Sequence, residues 1–294
     1  MPHNAELRSL PHPWRGRQLR FALHLGVASM DKPLFKHSAG SLDPLDHIKL
    51  AAEIGFAGIS DNMLKCRSDA AQSQMGDALA KHGLVMGSFT NTPAGAGASD
   101  WGNPDPAVGD AFAYSVGRSI EAGRRIGGRL INLIAMQASG VDREVQIGVF
   151  AERVRRIADR VAREGMILAL EPVSITRMPG ALLHHISEVQ EILETSNHPA
   201  LRLMFDTGHV HEMDGDPVAA YSRARHLTVD SVQLANSRDR LEPGSGETDF
   251  VAFFRHLLSE GFEGLLELEH YLQHDSRVAE VLALQRLGEI VNSL

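Results

Sequence analysis

Short apolar runs alternate with amphipathic stretches along most of the chain. The runs predict eight β-strands, which begin near residues 20, 56, 84, 129, 166, 201, 228 and 264. The stretches between them repeat apolar residues every three or four positions, as in Phe150, Val154, Ile157 and Val161. That spacing is typical of amphipathic helices. Several of these stretches end in glycine just before the next strand, which is a common helix stop.

This alternation predicts the fold class. Strands that alternate with helices pair in parallel through right-handed crossovers. Eight such units predict an α/β protein with a single (β/α)8 TIM barrel over residues 20–294, preceded by a polar arm over residues 1–19. An open doubly wound sheet is the alternative, and the absence of a glycine-rich phosphate-binding motif after the first strand disfavours it.

Composition narrows the classes of function. The net charge of −8 and the pI of about 6.0 argue against a nucleic-acid partner. No apolar run approaches the roughly 18 residues of a membrane span, and no apolar stretch follows Met1 as in a secretory signal. The single cysteine, Cys66, excludes an internal disulfide and fits a reducing cytoplasm. We expect a small-molecule partner, and the sequence leaves a homo-oligomer open.

Polar side chains end four successive predicted strands. Glu171, Asp206 and Glu269 end the fifth, sixth and eighth, and Gln233 lies late in the seventh. Their spacings of 35, 27 and 36 residues match one strand–helix unit. The carboxyl ends of barrel strands form the rim that holds active sites, and carboxylates that meet there repel one another without a cation. Oxygen ligands favour Mg²⁺ or Mn²⁺ over zinc. A solvated rim without metal is the alternative.

Sequence motifs over residues 20–275 add to this pattern. The most specific are R-x-E-P-G-x-G-E at 240–247 and L-E-P at 170–172, with M-P-G eight residues later. Weaker ones are AAEIGFAGI at 51–59 and FDTGH at 205–209. Together they resemble the xylose-isomerase-like barrel family of sugar isomerases and epimerases, and within it the hydroxypyruvate isomerase branch. The resemblance implies one divalent metal ion held by Glu171, Asp206, Gln233 and Glu269. It also implies that Glu171 and Glu269 are the catalytic acid–base residues.

The resemblance further implies that His209 and Arg240 bind substrate. The glycine- and proline-rich segment 91–110 is long enough to form a lid, and we expect Asn91 and Trp101 to contact substrate from it. An ordinary surface loop with a packed tryptophan is the alternative. His24, late in the first strand, either lines the pocket or packs within the barrel.

Several positions depart from the family pattern or carry a second carboxylate. Ser60, Ser174, Ser231 and Asn236 stand where the family usually has glutamate, asparagine, histidine and aspartate. Glu267 has the strand parity of Glu269, so it is predicted to point into the barrel one layer deeper, with Arg202 as a candidate partner.

The expected chemistry is proton transfer next to a carbonyl group. A divalent ion stabilises the enediolate, while carboxylates remove and return the proton. We therefore expect a metal-dependent isomerase of a small hydroxy-carbonyl compound or sugar. A ketose 3-epimerase and a sugar dehydratase are alternatives on the same metal cage. A phosphodiesterase resembling endonuclease IV would need more strand-end histidines and a basic surface, and a non-catalytic sugar-binding protein would not need both glutamates.

Overall fold

The computed structural model describes residues 12–14, 18–93, 99–237 and 239–294. Within these ranges, nine strands form a nearly closed parallel barrel. They are β1 Arg20–His24, β2 Gly58–Ser60, β3 Val85–Met86, β4 Ser88–Thr90, β5 Leu130–Leu133, β6 Ile167–Leu170, β7 Leu201–Asp206, β8 Thr228–Gln233 and β9 Leu265–Glu267. The prediction of a TIM barrel is confirmed.

Ten α-helices surround the barrel in the described part of the chain. They are α1 Lys36–Ala39, α2 Pro44–Glu53, α3 Asp69–His82, α4 Pro106–Ile126, α5 Arg143–Arg163, α6 Ile186–Ser196, α7 Thr207–Asp214, α8 Pro217–Ala224, α9 Phe250–Ser259 and α10 Arg277–Asn292. A short 3₁₀ helix spans Leu64–Cys66. None of the described helices has the length and apolar character needed to cross a membrane.

The sheet order is β3-β2-β1-β9-β8-β7-β6-β5-β4. β3 and β4 belong to one predicted strand that is interrupted at Gly87. The Gly87 amide donates to the Ile59 carbonyl at 2.7 Å, and the Asp61 amide donates to the Ser88 carbonyl at 3.1 Å. The two edges of the sheet are therefore joined through the broken third strand, which closes the barrel.

Gly87 is needed because a carboxylate lies against it. A Cβ atom at this position would lie 2.6 Å from Oε1 of Glu267, inside the barrel. Any larger residue would push the strand or the carboxylate away. The strand breaks beside this buried carboxylate.

Apolar residues form two cores. The larger lies between the sheet and the helices, and it includes the predicted stripe of α5, whose Phe150, Val154 and Val161 are fully buried. Burial of each such side chain stabilises the fold by roughly 1.5–3 kcal/mol. Ala169, Met204 and Val229 form a separate small cluster. These three alternate with residues that face the helices, so they fill the barrel interior below the carboxyl rim.

The predicted N-terminal arm lies mostly outside the described residues, since 1–11 and 15–17 are not described. Trp14 of this arm is buried. Its Nε1 donates to the Ile54 carbonyl at 3.0 Å, and its ring packs against those of Phe21 and Phe56. These contacts lie near the amino ends of β1 and β2, so Trp14 packs into the core between the sheet and the helices at that end of the barrel.

Candidate active site

The structure brings the four strand-end side chains to one end of the barrel. Glu171 follows β6, Asp206 and Gln233 end β7 and β8, and Glu269 lies two residues beyond β9. Asp206 is in register with Gln233 across β7 and β8. All four side chains are buried. Parallel pairing thus converts a sequence repeat into a cluster of three carboxylates and one amide.

Asp206 is fixed from two directions. Its Oδ1 accepts a hydrogen bond from the His209 amide at 2.9 Å and so caps α7. The Arg240 guanidinium donates from Nη1 to Oδ1 at 3.1 Å and from Nη2 to Oδ2 at 2.9 Å. Burial is the largest single effect on Asp206 and opposes its ionisation, but the charge and hydrogen bonds of Arg240, together with the contacts to His209, outweigh it. The pKa of Asp206 therefore lies below its ordinary value, and Asp206 is the member of the cluster that favours the ionised form.

Hydrogen bonds of both its backbone and its side chain hold Arg240 in place. Its φ of 48° lies in the left-handed region, which costs a non-glycine residue about 1–2 kcal/mol. The Arg240 carbonyl accepts from the Tyr271 amide at 2.6 Å, and Nη2 also donates to the Glu269 carbonyl at 2.9 Å. The guanidinium borders the cavity, as expected of a substrate-binding group, but its described hydrogen bonds go to Asp206 and to the Glu269 carbonyl.

Glu171 and Glu269 resist ionisation. Burial, with the nearby Asp206 charge, raises the pKa of Glu171 to about 8. Burial also raises the pKa of Glu269 well above its ordinary value, against the opposing effect of Arg240. An asparagine side chain donates to each carboxylate, Asn132 to Glu171 and Asn62 to Glu269. The cluster therefore holds more carboxylates than its single guanidinium can neutralise.

Orphaned polar atoms show that this cluster fits a divalent cation. Both side-chain atoms of Gln233 and Oε2 of Glu269 are buried, and they have no hydrogen-bond partner in the described structure. Buried polar groups are nearly always paired, so each such atom needs an explanation. Carboxylate and amide oxygens are the ligands that Mg²⁺ and Mn²⁺ prefer. Glu171, Asp206, Gln233 and Glu269 are chemically suited to hold such an ion.

His209 provides an alternative ligand that sequence reasoning assigned to substrate. Ligand atoms of Glu171, Asp206 and His209 lie within 4.8 Å of one another. The Ser174 amide donates to Nδ1 of His209 at 3.2 Å, which leaves Nε2 3.7 Å from Oε1 of Glu171. Burial and the Arg240 charge lower the pKa of His209 to about 4, so the ring is neutral. A neutral imidazole can bind a metal ion or a substrate hydroxyl group.

A cavity of about 280 Å³ opens above these residues. Glu171, His209, Arg240 and Glu269 lie on its polar side. Val27, Ile134 and Met178 supply apolar wall, and Thr92 and Pro93 border it from the predicted lid segment. The cavity is large enough for a small hydroxy-carbonyl compound. Residues 94–98 of the segment lie outside the described part of the chain.

Three residues considered as substrate contacts do not line this cavity. Trp101 is buried against Phe112, with ring centroids 5.5 Å apart, and lines a neighbouring cavity. Asn91 lies beside that same cavity and accepts from Ser119 Oγ at 2.8 Å. His24 is fully buried, and its Nδ1 accepts from the Gly26 amide at 3.0 Å. The structure brings His209 and Arg240 to the cavity but not these three.

Glu267 lies one layer below the site, as its parity predicts. It accepts from the Ser88 amide at 2.7 Å and from Ser231 Oγ at 2.6 Å. The suggested partner Arg202 instead donates to the Thr228 carbonyl. Arg202 is four residues before Asp206 on β7, roughly 13 Å down the strand, whereas Glu267 is in register with Gln233 near the rim. The pairing was therefore wrong. The hydrogen-bond partners of Glu267 include Ser88 and Ser231, of which Ser231 is a departure from the family pattern.

Sequence reasoning missed Asn62 and Asn132, which contact the two glutamates. Asn132 left a signal, because it is a polar residue inside the apolar run RLINLIA and has inward strand parity. Asn62 lies two residues beyond β2, in the same position relative to its strand as Glu269. Polar residues at strand ends on the other half of the barrel were thus a usable guide.

The comparisons with known proteins agree with this architecture. A family model described as "Xylose isomerase-like TIM barrel" matches residues 48–287. The chain belongs to this family. The match extends from α2 into α10 and includes every strand except β1, so it covers all four strand-end residues.

Curated relatives of this chain carry isomerase names. A protein of Mus musculus named "Putative hydroxypyruvate isomerase" is 32% identical over 56% of this chain and 62% of its own length. The hydroxypyruvate isomerase of Escherichia coli is 23% identical over 79% of this chain and 89% of its length. The 2-oxo-tetronate isomerase of Cupriavidus necator is 25% identical over 77% and 86%, respectively.

Solved structures show the same barrel. One is an AP endonuclease, family 2, from Brucella melitensis, with a TM-score of 0.74 and 24% identity over 89% of this chain and 96% of that one. Another is the D-psicose 3-epimerase of Clostridium cellulolyticum H10 with D-tagatose, with a TM-score of 0.74 and 15% identity over 93% and 97%. At these identities the likeness concerns the fold alone.

Proposed function

We propose that the protein is a divalent-metal-dependent isomerase of a small hydroxy-carbonyl compound, similar in reaction to hydroxypyruvate isomerase. The observation that carries this proposal is the cluster of Glu171, Asp206, Gln233 and Glu269, with buried Gln233 and Glu269 atoms that lack partners. Names of hydroxypyruvate and 2-oxo-tetronate isomerases among the relatives support the substrate class. Mg²⁺ or Mn²⁺ suits these oxygen ligands better than zinc.

The proposed roles follow from position and charge. A divalent ion held by these four residues would supply Lewis-acid polarisation of a substrate carbonyl. Glu171 and Glu269 border the cavity from β6 and β9, with two strands between them. They can therefore reach a bound substrate from different sides, one to accept a proton and one to return it. Asp206 remains ionised beside Arg240 and does not compete for that proton.

The neutral His209 ring suits a substrate hydroxyl group. Its Nδ1 accepts from the Ser174 amide, so Nε2 carries the ring proton and can donate it as a hydrogen bond into the cavity. This arrangement orients a hydroxyl or carbonyl oxygen without introducing another charge.

The experiment replaces each glutamate by glutamine and follows hydroxypyruvate by NMR in deuterated water. Glutamine keeps the shape and one oxygen but cannot accept a proton at neutral pH. Glu171→Gln and Glu269→Gln should each lose product formation, whereas the exposed Glu144→Gln, on α5, should retain it. Deuterium exchange into unreacted substrate in one variant would identify the glutamate that removes the first proton. Full turnover by both variants would contradict the proposal.

The same experiment separates isomerisation from its alternatives. A 3-epimerase would return an inverted, deuterated ketose when offered a ketohexose, and a dehydratase would release a product that has lost water. Structural similarity to a D-psicose 3-epimerase makes a ketohexose the second substrate to test.

A further inference from the structure

Each of the two proposed acid–base glutamates is held by an asparagine. Nδ2 of Asn62 donates to Oε1 of Glu269 at 2.7 Å, and Nδ2 of Asn132 donates to Oε2 of Glu171. Asn62 is 9% exposed and Asn132 is 1% exposed. The two asparagines come from different parts of the barrel, beyond β2 and on β5, yet they make the same kind of contact.

The orientation of the Asn62 amide is fixed by its other bonds. Its Oδ1 accepts from Thr90 Oγ1 at 2.9 Å, and its Nδ2 also donates to the Val27 carbonyl at 3.2 Å. A carbonyl can only accept, so the NH₂ group must face both Val27 and Glu269. A flipped amide would bring two acceptors together at the Val27 carbonyl.

Asn132 has a narrower set of partners. Its Oδ1 is buried and has no partner in the described structure, so Glu171 is the only side chain that its amide contacts there. A buried amide with an unpaired oxygen destabilises the fold, so its presence inside the barrel needs an explanation. Among the described residues, the bond to Glu171 is the only hydrogen bond of this side chain.

Both contacts leave the second oxygen of each glutamate available. Oε2 of Glu269 has no described partner, and Oε1 of Glu171 lies 3.7 Å from Nε2 of His209. One oxygen of each carboxylate is therefore fixed, while the other has no hydrogen bond to the described residues that would hold it. The fixing group is a neutral amide, which cannot take up the proton that the carboxylate carries. A serine, lysine or histidine in its place could share that proton.

We propose that Asn62 and Asn132 are positioning residues, which fix one oxygen of Glu269 and of Glu171 so that the other binds metal and moves the substrate proton. Only the proton-transfer part of this inference rests on the proposed function. The orientation of the carboxylates toward the metal does not depend on which substrate is used.

The test uses Asn62→Leu and Asn132→Leu, which keep the side-chain size and remove the donor. Mn²⁺ affinity is measured by calorimetry, and kcat and KM are measured with hydroxypyruvate. Loss of an outer hydrogen bond to a metal ligand typically lowers metal affinity or activity about 10- to 100-fold. We expect such a loss in Mn²⁺ affinity or in kcat for both variants, with KM changed less than kcat. The control is Asn292→Leu, an exposed asparagine at the end of α10 and outside the site.

The outcomes separate this inference from the proposed function. If the unsubstituted protein binds Mn²⁺ but does not convert hydroxypyruvate, the reaction assignment fails, and Mn²⁺ affinities of the variants still decide the positioning role. If it binds no Mn²⁺, crystal structures of the metal-free variants decide, since a positioning role requires displaced Glu269 or Glu171 carboxylates. Variants with unchanged affinity and kcat, or with carboxylates in unchanged positions, would overturn the inference.

Discussion

Arg240 and Asp206 form a buried bidentate salt bridge, with nitrogen–oxygen distances of 3.1 and 2.9 Å. The residues are 34 positions apart, on the connection after β8 and at the end of β7. The pair places a permanent positive charge beside the three carboxylates of the site. Arg240 thereby stabilises the cluster itself, in addition to bordering the cavity.

Removal of the Arg240 charge should destabilise the metal-free protein. Breaking a buried ion pair by removing one partner typically costs about 3–5 kcal/mol, because the other charge remains buried. Arg240→Met keeps most of the side-chain length and should show a loss of this size in urea unfolding. Arg240→Lys keeps the charge without the two-pronged geometry and should lose less. Equal stability of the Met variant and the unsubstituted protein would show that Asp206 does not need Arg240.

Gly87 should be intolerant of alanine. The added Cβ would lie 2.6 Å from Glu267 Oε1 and 3.1 Å from the Ile59 carbonyl, so Gly87→Ala should cost about 1–3 kcal/mol. The control is Gly148→Ala in α5, where nothing lies within 4 Å and alanine should stabilise the helix by up to about 1 kcal/mol. The cost at Gly87 should shrink in a Glu267→Ala background. An unchanged cost there would identify the Ile59 backbone as the obstacle.

Lys65 should make stability depend on alkaline pH. Its Nζ donates to the Asn91 and Ser115 carbonyls and to Ser115 Oγ, without a carboxylate among these partners. Burial, and then the nearby Arg118, lower its pKa from 10.5 to about 8. The unfolded chain therefore binds more protons between these two values, and stability rises with pH across that window.

Comparison with Lys65→Met isolates this effect from other titrating groups. The unfolding free energy of the lysine protein, relative to the methionine variant, should increase from pH 8 to pH 10. The increase should be at most about 1.4 kcal/mol per pH unit. A difference that is constant with pH would mean that Lys65 has the same pKa in the folded and unfolded chains.

The strand positions were predictable because a strand buried on both faces has a continuous run of apolar residues. ILAL before Glu171 is such a run. The strand-end residues Asp206, Gln233 and Glu269 followed from their recurrence at the ends of successive predicted strands, at spacings close to one strand–helix unit. The strand-end position of Asn62 is visible in the same way, but its contact with Glu269 could not be found from the sequence. It depends on Thr90 and Glu269, which are 28 and 207 positions away, and on the orientation of an amide.

Trp101 shows a different limit of sequence reasoning. A tryptophan in a glycine- and proline-rich segment can face the substrate or the protein interior, and local sequence does not distinguish the two. In the structure, Phe112 on α4 offers an aromatic surface, and the Arg153 side chain binds the Trp101 carbonyl at 2.7 Å. Packing on that surface, set by residues beyond the segment, determines where Trp101 lies.

The metal site on which the proposed function rests is tested most directly by anomalous diffraction from a crystal soaked in Mn²⁺. We expect one Mn²⁺ ion bound by Glu171, Asp206, Gln233 and Glu269. Crystals of the double variant with Gln233→Leu and Glu269→Gln, soaked in the same way, should show no anomalous peak at this position. An ion bound by Glu171, Asp206 and His209 without Gln233 and Glu269, or no ion at the carboxyl rim, would contradict the account.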